Sequence, residues 1–142
     1  LDVFARLWKL AGPDLFRRLF PILLTDNGSE FTNPLALENA PDGTPRTRLF
    51  YCDPCASWQK PRVERNHEFI RMVLPRGTSF DALTQPDLDR VMSHVNSYSR
   101  PSLNDKAPFE LFAFTYGTEL LATLGLRQIP ANDIVLKPIL LG

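Results

Sequence analysis

The stretch Pro21-Ile22-Leu23-Leu24, closed abruptly by Thr25-Asp26-Asn27-Gly28, constrains the fold of this chain more than any other. It is short, it does not alternate, and it is bounded by turn residues. That is the pattern of a strand buried on both faces, as in a sheet covered by helices. Asp26 then stands at the strand's exit. A second strand is read at Thr47-Arg48-Leu49-Phe50-Tyr51, broken by Asp53-Pro54 and reached through a loop dense in turn residues from Asn39 to Arg46. Two strands do not make a covered sheet. Further strands are therefore expected, either from a segment upstream of Leu1 or from another chain.

The rest of the pattern is helical, so the chain reads as α/β. Residues 2 to 10 place Val3, Phe4, Leu7, Trp8 and Leu10 at helical spacing, with Asp2 as a candidate N-cap and Gly12-Pro13 as the stop. Leu15 to Leu19 add another turn. From Pro61 to about Val73 the pattern is again helical, closed by Pro75 and Gly77. Residues 86 to 98 carry an apolar stripe of Leu88, Val91, Met92, Val95 and Tyr98. Pro108 opens a helix that Gly117 interrupts, Leu120 to Leu124 continue it to Gly125, and the tail from Ile129 is expected to be extended. There is no internal repeat.

Composition narrows the function classes. A length of 142 residues suits about one domain. The 16 Lys plus Arg balance 16 Asp plus Glu, which excludes a uniformly basic DNA-coating protein. With 44% hydrophobic and 11% aromatic residues the chain is no disordered tail. No apolar run approaches the roughly 20 residues of a membrane span. The chain starts at Leu1 with an element already in full stride, so it is expected to be a piece of something longer, and no basic n-region with an apolar run and cleavage site is seen that would explain the missing start. Cys52 and Cys55 are too few for a disulfide framework and suit a reducing compartment, the cytoplasm. Their spacing is that of a zinc half-site, but His67 and His94 lie 27 residues apart where real sites keep the second pair within roughly three to five. No zinc is expected. A thioredoxin-type redox role is not expected either, since no helix follows directly.

Two carboxylates are candidates for chemistry. Asp26, at the carboxyl end of a buried strand, occupies the edge where open α/β sheets bind ligands; the alternative is a turn-forming Asp that caps the strand. Glu64 lies in the first turn of the helix from Pro61. At 100° per residue Val63, Phe69, Ile70, Val73 and Leu74 fall on one arc, and Glu64, Glu68 and Arg71 on the other. The alternative for Glu64 is a solvated, salt-bridged face shared with Arg65 and Arg71. Between residues 60 and 76 five basic residues (Lys60, Arg62, Arg65, Arg71, Arg76) outnumber Glu64 and Glu68, a local excess suited to phosphates. Trp58 is expected to plug the sheet edge, with base stacking as the alternative. His67 is expected to be packed, with assistance to phosphate or metal contacts as the alternative.

An ordered series of motifs runs through nearly the whole chain: Leu24-Thr25-Asp26-Asn27-Gly28-Ser29-Glu30-Phe31, Tyr51-Cys52-Asp53-Pro54, Ser57-Trp58-Gln59-Lys60, Val63-Glu64-Arg65-Asn66-His67 and Leu74-Pro75-Arg76-Gly77-Thr78-Ser79-Phe80, then Asn96-Ser97-Tyr98, Arg100-Pro101-Ser102-Leu103-Asn104 and Pro108-Phe109-Glu110-Leu111-Phe112. It resembles insertion-sequence transposases of the IS-thirty type. The resemblance implies an integrase-type catalytic core of ribonuclease-H-like fold, here N-terminally truncated, over residues 1–100, with a C-terminal helical extension over 101–142. It also implies an Asp, Asp, Glu set holding two Mg²⁺ or Mn²⁺ ions, in which Asp26 matches the second Asp and Glu64 the Glu. No residue matches the first Asp, so this chain alone is expected to be inactive. Lys60, Arg62, Arg65, Arg71 and Asn27 are the expected DNA contacts, and a homo-oligomer without membrane association is expected, cytoplasmic and on the bacterial nucleoid when bound to DNA. The alternatives are a non-catalytic, nucleic-acid-binding or dimerising remnant of a transposase, and a nuclease on the same fold.

Overall fold

Ten residues from Asp2 to Ala11 form helix α1 and seven from Pro13 to Leu19 form α2. They are hinged at Gly12, whose φ of 77° is a left-handed value that suits glycine. The structure, a computed structural model, describes residues 2–26, 28–54, 56–59 and 61–142. By its contacts the chain divides into two compact units, Leu1–Pro61 and Arg62–Gly142.

In the first unit the hairpin is filled by rings. Phe16, fully buried, meets Trp8 edge-on at 5.3 Å and Phe20 at 5.0 Å. Arg17 lies over Trp8 and donates from Nε and Nη2 to the Pro45 carbonyl. A short helix α3, Pro34–Glu38, was absent from the periodicity because five residues are too few to show one. It is nonetheless specified locally: Asn33 Oδ1 accepts from Ala36 N–H at 3.1 Å, and Pro34 stands at its first position. Its last carbonyls, those of Ala36 and Leu37, accept from the buried guanidinium of Arg46 at 2.8 Å. Arg46 in turn lies over the Phe16 ring. Burial lowers the Arg46 pKa below the ordinary guanidinium value.

Strands β1, Ile22–Thr25, and β2, Arg48–Tyr51, pair in parallel, with Leu23 opposite Leu49 and Leu24 opposite Phe50. The sheet of the described residues has these two strands. Here the structure corrects the expectation of a strand covered on both sides. Ile22 and Leu24 share one face with Phe50, and that face is open, with Ile22 58% and Leu24 47% exposed. Leu23, Thr25 and Leu49 face the other way and are buried or half-buried. The apolar run was read correctly for strand, but periodicity reports which residues want cover, not whether cover exists. Glu38 Oε1 accepts from Leu49 N–H at 3.0 Å, tying α3 to β2.

The second unit holds α4, Pro61–Val73, from its second residue onward, and α5, Gln85–Ser97. Their contact is a cluster of Phe69, Val73, Leu74, Val91 and Val95. The start of α5 is fixed by Thr84 and Asp87: Thr84 N–H and hydroxyl both donate to Asp87 Oδ2, and Asp87 N–H donates back to Thr84 Oγ1. Those same bonds lower the Asp87 pKa. Helices α6, Pro108–Tyr116, and α7, Glu119–Thr123, follow as read, divided at Gly117. Of the expected α5 stripe, Val91 and Val95 are buried, whereas Leu88 and Tyr98 are exposed. Tyr98, just past the helix end, stacks instead on Phe69 at 5.5 Å.

The tail explains why a polar face of α5 is buried. Ser93, His94 and Ser97 are all covered. Arg127 N–H donates to Ser93 Oγ at 3.2 Å, Ile129 N–H to Ser97 Oγ at 2.9 Å and Val135 N–H to His94 Nδ1 at 3.0 Å. Leu136, Leu140 and Leu141 then close over the apolar cluster. The tail is not an extended strand; it runs through short 3-10 turns at Ala131–Asp133 and Pro138–Leu141.

Candidate functional site

Asp26 leaves β1 immediately after Thr25 and is exposed. Because β2 runs parallel in register, with Thr25 opposite Tyr51, the carboxyl ends of both strands lie at one edge of the sheet. Asp53 belongs to that same edge. It was read only as a strand breaker, yet it makes a closed pair with the next motif: Gln59 Nε2 donates to Asp53 Oδ2 at 2.9 Å, and Asp53 N–H donates to Gln59 Oε1 at 3.0 Å. Trp58 stands 73% exposed, which corrects the expectation that it plugs the sheet edge. A short 3-10 turn, Ser57–Gln59, holds it outward.

Glu64 is exposed in the first turn of α4, where a carboxylate is favoured by the helix dipole. The ion pair described on this helix joins Arg65 Nη1 to Glu68 Oε2 at 2.7 Å and does not include Glu64. Arg65 also lies over Phe69, so its guanidinium is shared between a carboxylate and a ring. Arg62 and Arg71 are exposed. The arc assignment holds on its inner side, where Phe69, Val73 and Leu74 are buried, but Val63 is exposed. Arg100 also lies over Phe69, at 4.0 Å from the ring centroid. Burial first, and Arg65 second, lower its pKa.

Asp26 belongs to the first unit and Glu64 to the second. Asn27 and Lys60, expected at DNA, lie outside the described residues, as does Cys55. Among the described residues no group of three or more His, Cys, Asp or Glu side chains is placed to hold a metal ion. Cys52 is buried and free of disulfide. His67 is exposed, against the expectation of a packed ring, because α4 turns it away from the cluster around Phe69. His94 is the packed histidine, committed to the tail through Nδ1. No helix of the described residues is long and apolar enough to cross a membrane.

The curated relatives of this mixed α/β chain are transposases and an integrase of mobile elements. The chain is 30% identical over 91 residues to the transposase for insertion sequence element IS1086 of Cupriavidus metallidurans, covering 64% of this chain and 26% of that protein. It is 30% identical over 90 residues to a putative integrase of Spiroplasma virus SpV1-R8A2 B, covering 63% of this chain and 27% of the viral protein. The IS-thirty resemblance read from the motifs is met directly: transposase InsI of insertion sequence element IS30A from Escherichia coli is 33% identical over 64 residues, 45% of this chain and 17% of InsI. The curated homologues of this chain are thus insertion-sequence transposases, InsI among them. The chain spans about a quarter or less of the length of the curated relatives it matches. No family model matches the chain, and no solved structure matches it.

Proposed function

We propose that this chain is part of a transposase catalytic core of ribonuclease-H-like type, acting on DNA through Asp26 and Glu64 as ligands of Mg²⁺ or Mn²⁺. The observation that carries the reading is the position of Asp26, exposed at the carboxyl edge of a parallel strand pair in a chain whose relatives are transposases. The donor chemistry fits, since carboxylate oxygens suit hard, octahedral ions. The number does not suffice, because two carboxylates cannot hold a metal pair as three do. When bound, two such ions roughly 3.5–4 Å apart clamp the attacking and leaving oxygens of an in-line displacement at phosphorus. Asp26 and Glu64 are the residues of this chain that would hold them. Lys60, Arg62, Arg65, Arg71 and Asn27 would orient the phosphate backbone, with Arg65 the weakest contributor because Glu68 and Phe69 already engage it. The chain would work in the cytoplasm, on the nucleoid when DNA-bound. The 142 residues alone are expected to join no DNA ends.

The test has two readouts. In the 142-residue chain, Mn²⁺ should broaden backbone NMR signals around Asp26 and the first turn of α4 weakly, and Asp26→Asn or Glu64→Gln should abolish the broadening. In a Mg²⁺-dependent strand-transfer assay of a complete transposase carrying these residues, either substitution should cost more than the roughly 10–100-fold that follows loss of an outer-shell partner. Broadening centred elsewhere, or retained strand transfer, overturns the assignment.

The open face of Ile22, Leu24 and Phe50 also supports self-association, since an apolar strand face and unpaired strand edges invite pairing with a second copy.

A further inference from the structure

Beyond α4 the chain makes a tight turn. Thr78 N–H donates to the Pro75 carbonyl at 3.1 Å, and Gly77, at the third position, has a φ of 86°. That positive φ is what a type II turn requires there. Arg76 is thereby projected at the turn's tip. The next residues are fixed as well: Ser79 Oγ donates to Asp81 Oδ2 at 2.8 Å, Asp81 N–H donates to Ser79 Oγ, and Leu83 N–H donates to the Phe80 carbonyl. Phe80 therefore stands on a hydrogen-bonded loop, and its side chain is 62% exposed.

Between this loop and α4 lies a cleft of about 410 Å³, lined among others by His67, Arg71, Arg76, Thr78 and Phe80, with Ile70 and Leu74 at its floor. The size falls in the roughly 300–1,000 Å³ range of ligand sites. Its chemistry is unusual for a surface groove: two guanidinium groups, a histidine and a hydroxyl stand with one exposed ring, and no carboxylate is in the lining. Of the acids nearby in sequence, Asp81 is engaged by Ser79 and Glu68 by Arg65. Arg71 has a structural use at the carbonyl end of α4, but that end gives no reason for a second arginine beyond the helix, nor for an unpacked phenylalanine. A flat apolar ring beside paired cations matches a ligand that is itself flat at one end and anionic at the other.

We propose that this cleft takes one unpaired nucleotide of the DNA substrate, its base stacked on Phe80 and its phosphate on Arg71 and Arg76. The proposal rests on the transposase reading for the presence of DNA, but not on the metal ligands. An unpaired base is required because a base inside a duplex presents no free face to a side chain.

The measurement is fluorescence anisotropy of the 142-residue chain with fluorescent oligothymidylate and, separately, with the duplex it forms with oligodeoxyadenylate. Phe80→Ala should weaken single-strand binding roughly five- to hundredfold, the range set by one base stacked on one ring, and leave duplex binding in place. Phe80→Trp should restore it. Arg76→Ala should reduce the slope of log affinity against log salt by about 0.7 on the single strand. An equal loss on both DNAs, or none on either, overturns the cleft assignment alone. Displacement of oligothymidylate by polyaspartate as readily as by unlabelled oligothymidylate assigns the cleft to an acidic protein segment and overturns it too. Failure of the unmodified chain to bind either DNA overturns the cleft and the transposase reading together, whereas failure of the Mn²⁺ experiment leaves the cleft standing.

Discussion

The two units of this chain cover their central apolar faces to different extents, although the second also exposes single side chains such as Phe114. In Arg62–Gly142 the cluster of Phe69, Val73, Leu74, Val91 and Val95 is closed by Leu136, Leu140 and Leu141 from the tail. In Leu1–Pro61 the helical hairpin is closed around Phe16, but the sheet beside it leaves Ile22, Leu24 and Phe50 open on one face. One unit finishes its own core and uses polar side chains to hold the lid. The other presents a strand pair whose apolar face stays open among the described residues. The difference separates residues that pack the second unit's core from residues that stay open on the first unit's sheet.

The sharpest way to break the comparison is at the open sheet. If that face is an assembly surface, the sedimentation coefficient of the chain should rise with concentration, and Leu24→Lys should hold it at the monomer value. Burying the exposed half of one leucine per copy is worth about 0.7–1.5 kcal/mol, so the dimer should weaken by roughly three- to tenfold for each copy altered. Leu24 is 47% exposed within the chain, so the folding of the first unit should change little. A chain that sediments as a monomer at every concentration refutes the assembly reading.

A smaller effect tests the closed unit. Ser97 Oγ accepts from Ile129 N–H in a buried bond at 2.9 Å. Ser97→Ala removes that acceptor and leaves a buried donor unpaired, a cost of about 1–3 kcal/mol. Urea denaturation of the variant should show that loss, and amide exchange at Ile129 should quicken. An unchanged midpoint would mean that the tail is held by its leucines alone.

What was legible in the sequence follows the same division. Helix α4 was readable to its ends because Pro61, Pro75 and Gly77 set its limits and Phe69, Ile70 and Val73 recur at its period. The β1 run was readable as strand, and Asp26 as its exit, because four apolar residues meet a turn sequence abruptly. Whether a strand is covered depends on partners distant in sequence or outside it, so the exposure of Ile22 and Leu24 was not readable. The buried Ser93, His94 and Ser97 were invisible for a related reason. A polar helix face looks solvated until the chain that donates to it, here from 32 to 41 residues away, is in place. Glu64 and Asp26 were singled out by position and resemblance. The Asp53–Gln59 pair was missed because its two halves lie in separate turns, and neither turn shows any periodicity.

His94 provides the finest discrimination between the two units, through pH. Its Nδ1 is an acceptor for Val135 N–H, so the ring must be neutral at that atom. The charges that face it have the wrong sign for a cation: burial first, then Arg127 from the tail and Arg90 from its own helix, lower its pKa from the ordinary 6.5. The unfolded chain therefore takes up a proton at a higher pH than the folded one. Above 6.5 neither state is protonated and His94 adds no pH dependence; as pH falls below 6.5 and through the lowered folded value, the unfolded state is favoured and stability is lost. The loss should appear as faster amide exchange at Val135 and along the segment that follows it, because protonation removes the acceptor as well as adding a charge beside two arginines. A His94→Gln chain has no imidazole to titrate, so its urea midpoint should decline less steeply than that of the unmodified chain between pH 6.5 and the lowered value. Parallel declines in the two chains would show that the tail is insensitive to the histidine. The first unit holds no histidine at all, so exchange in α1 and α2 should carry none of this dependence in either chain.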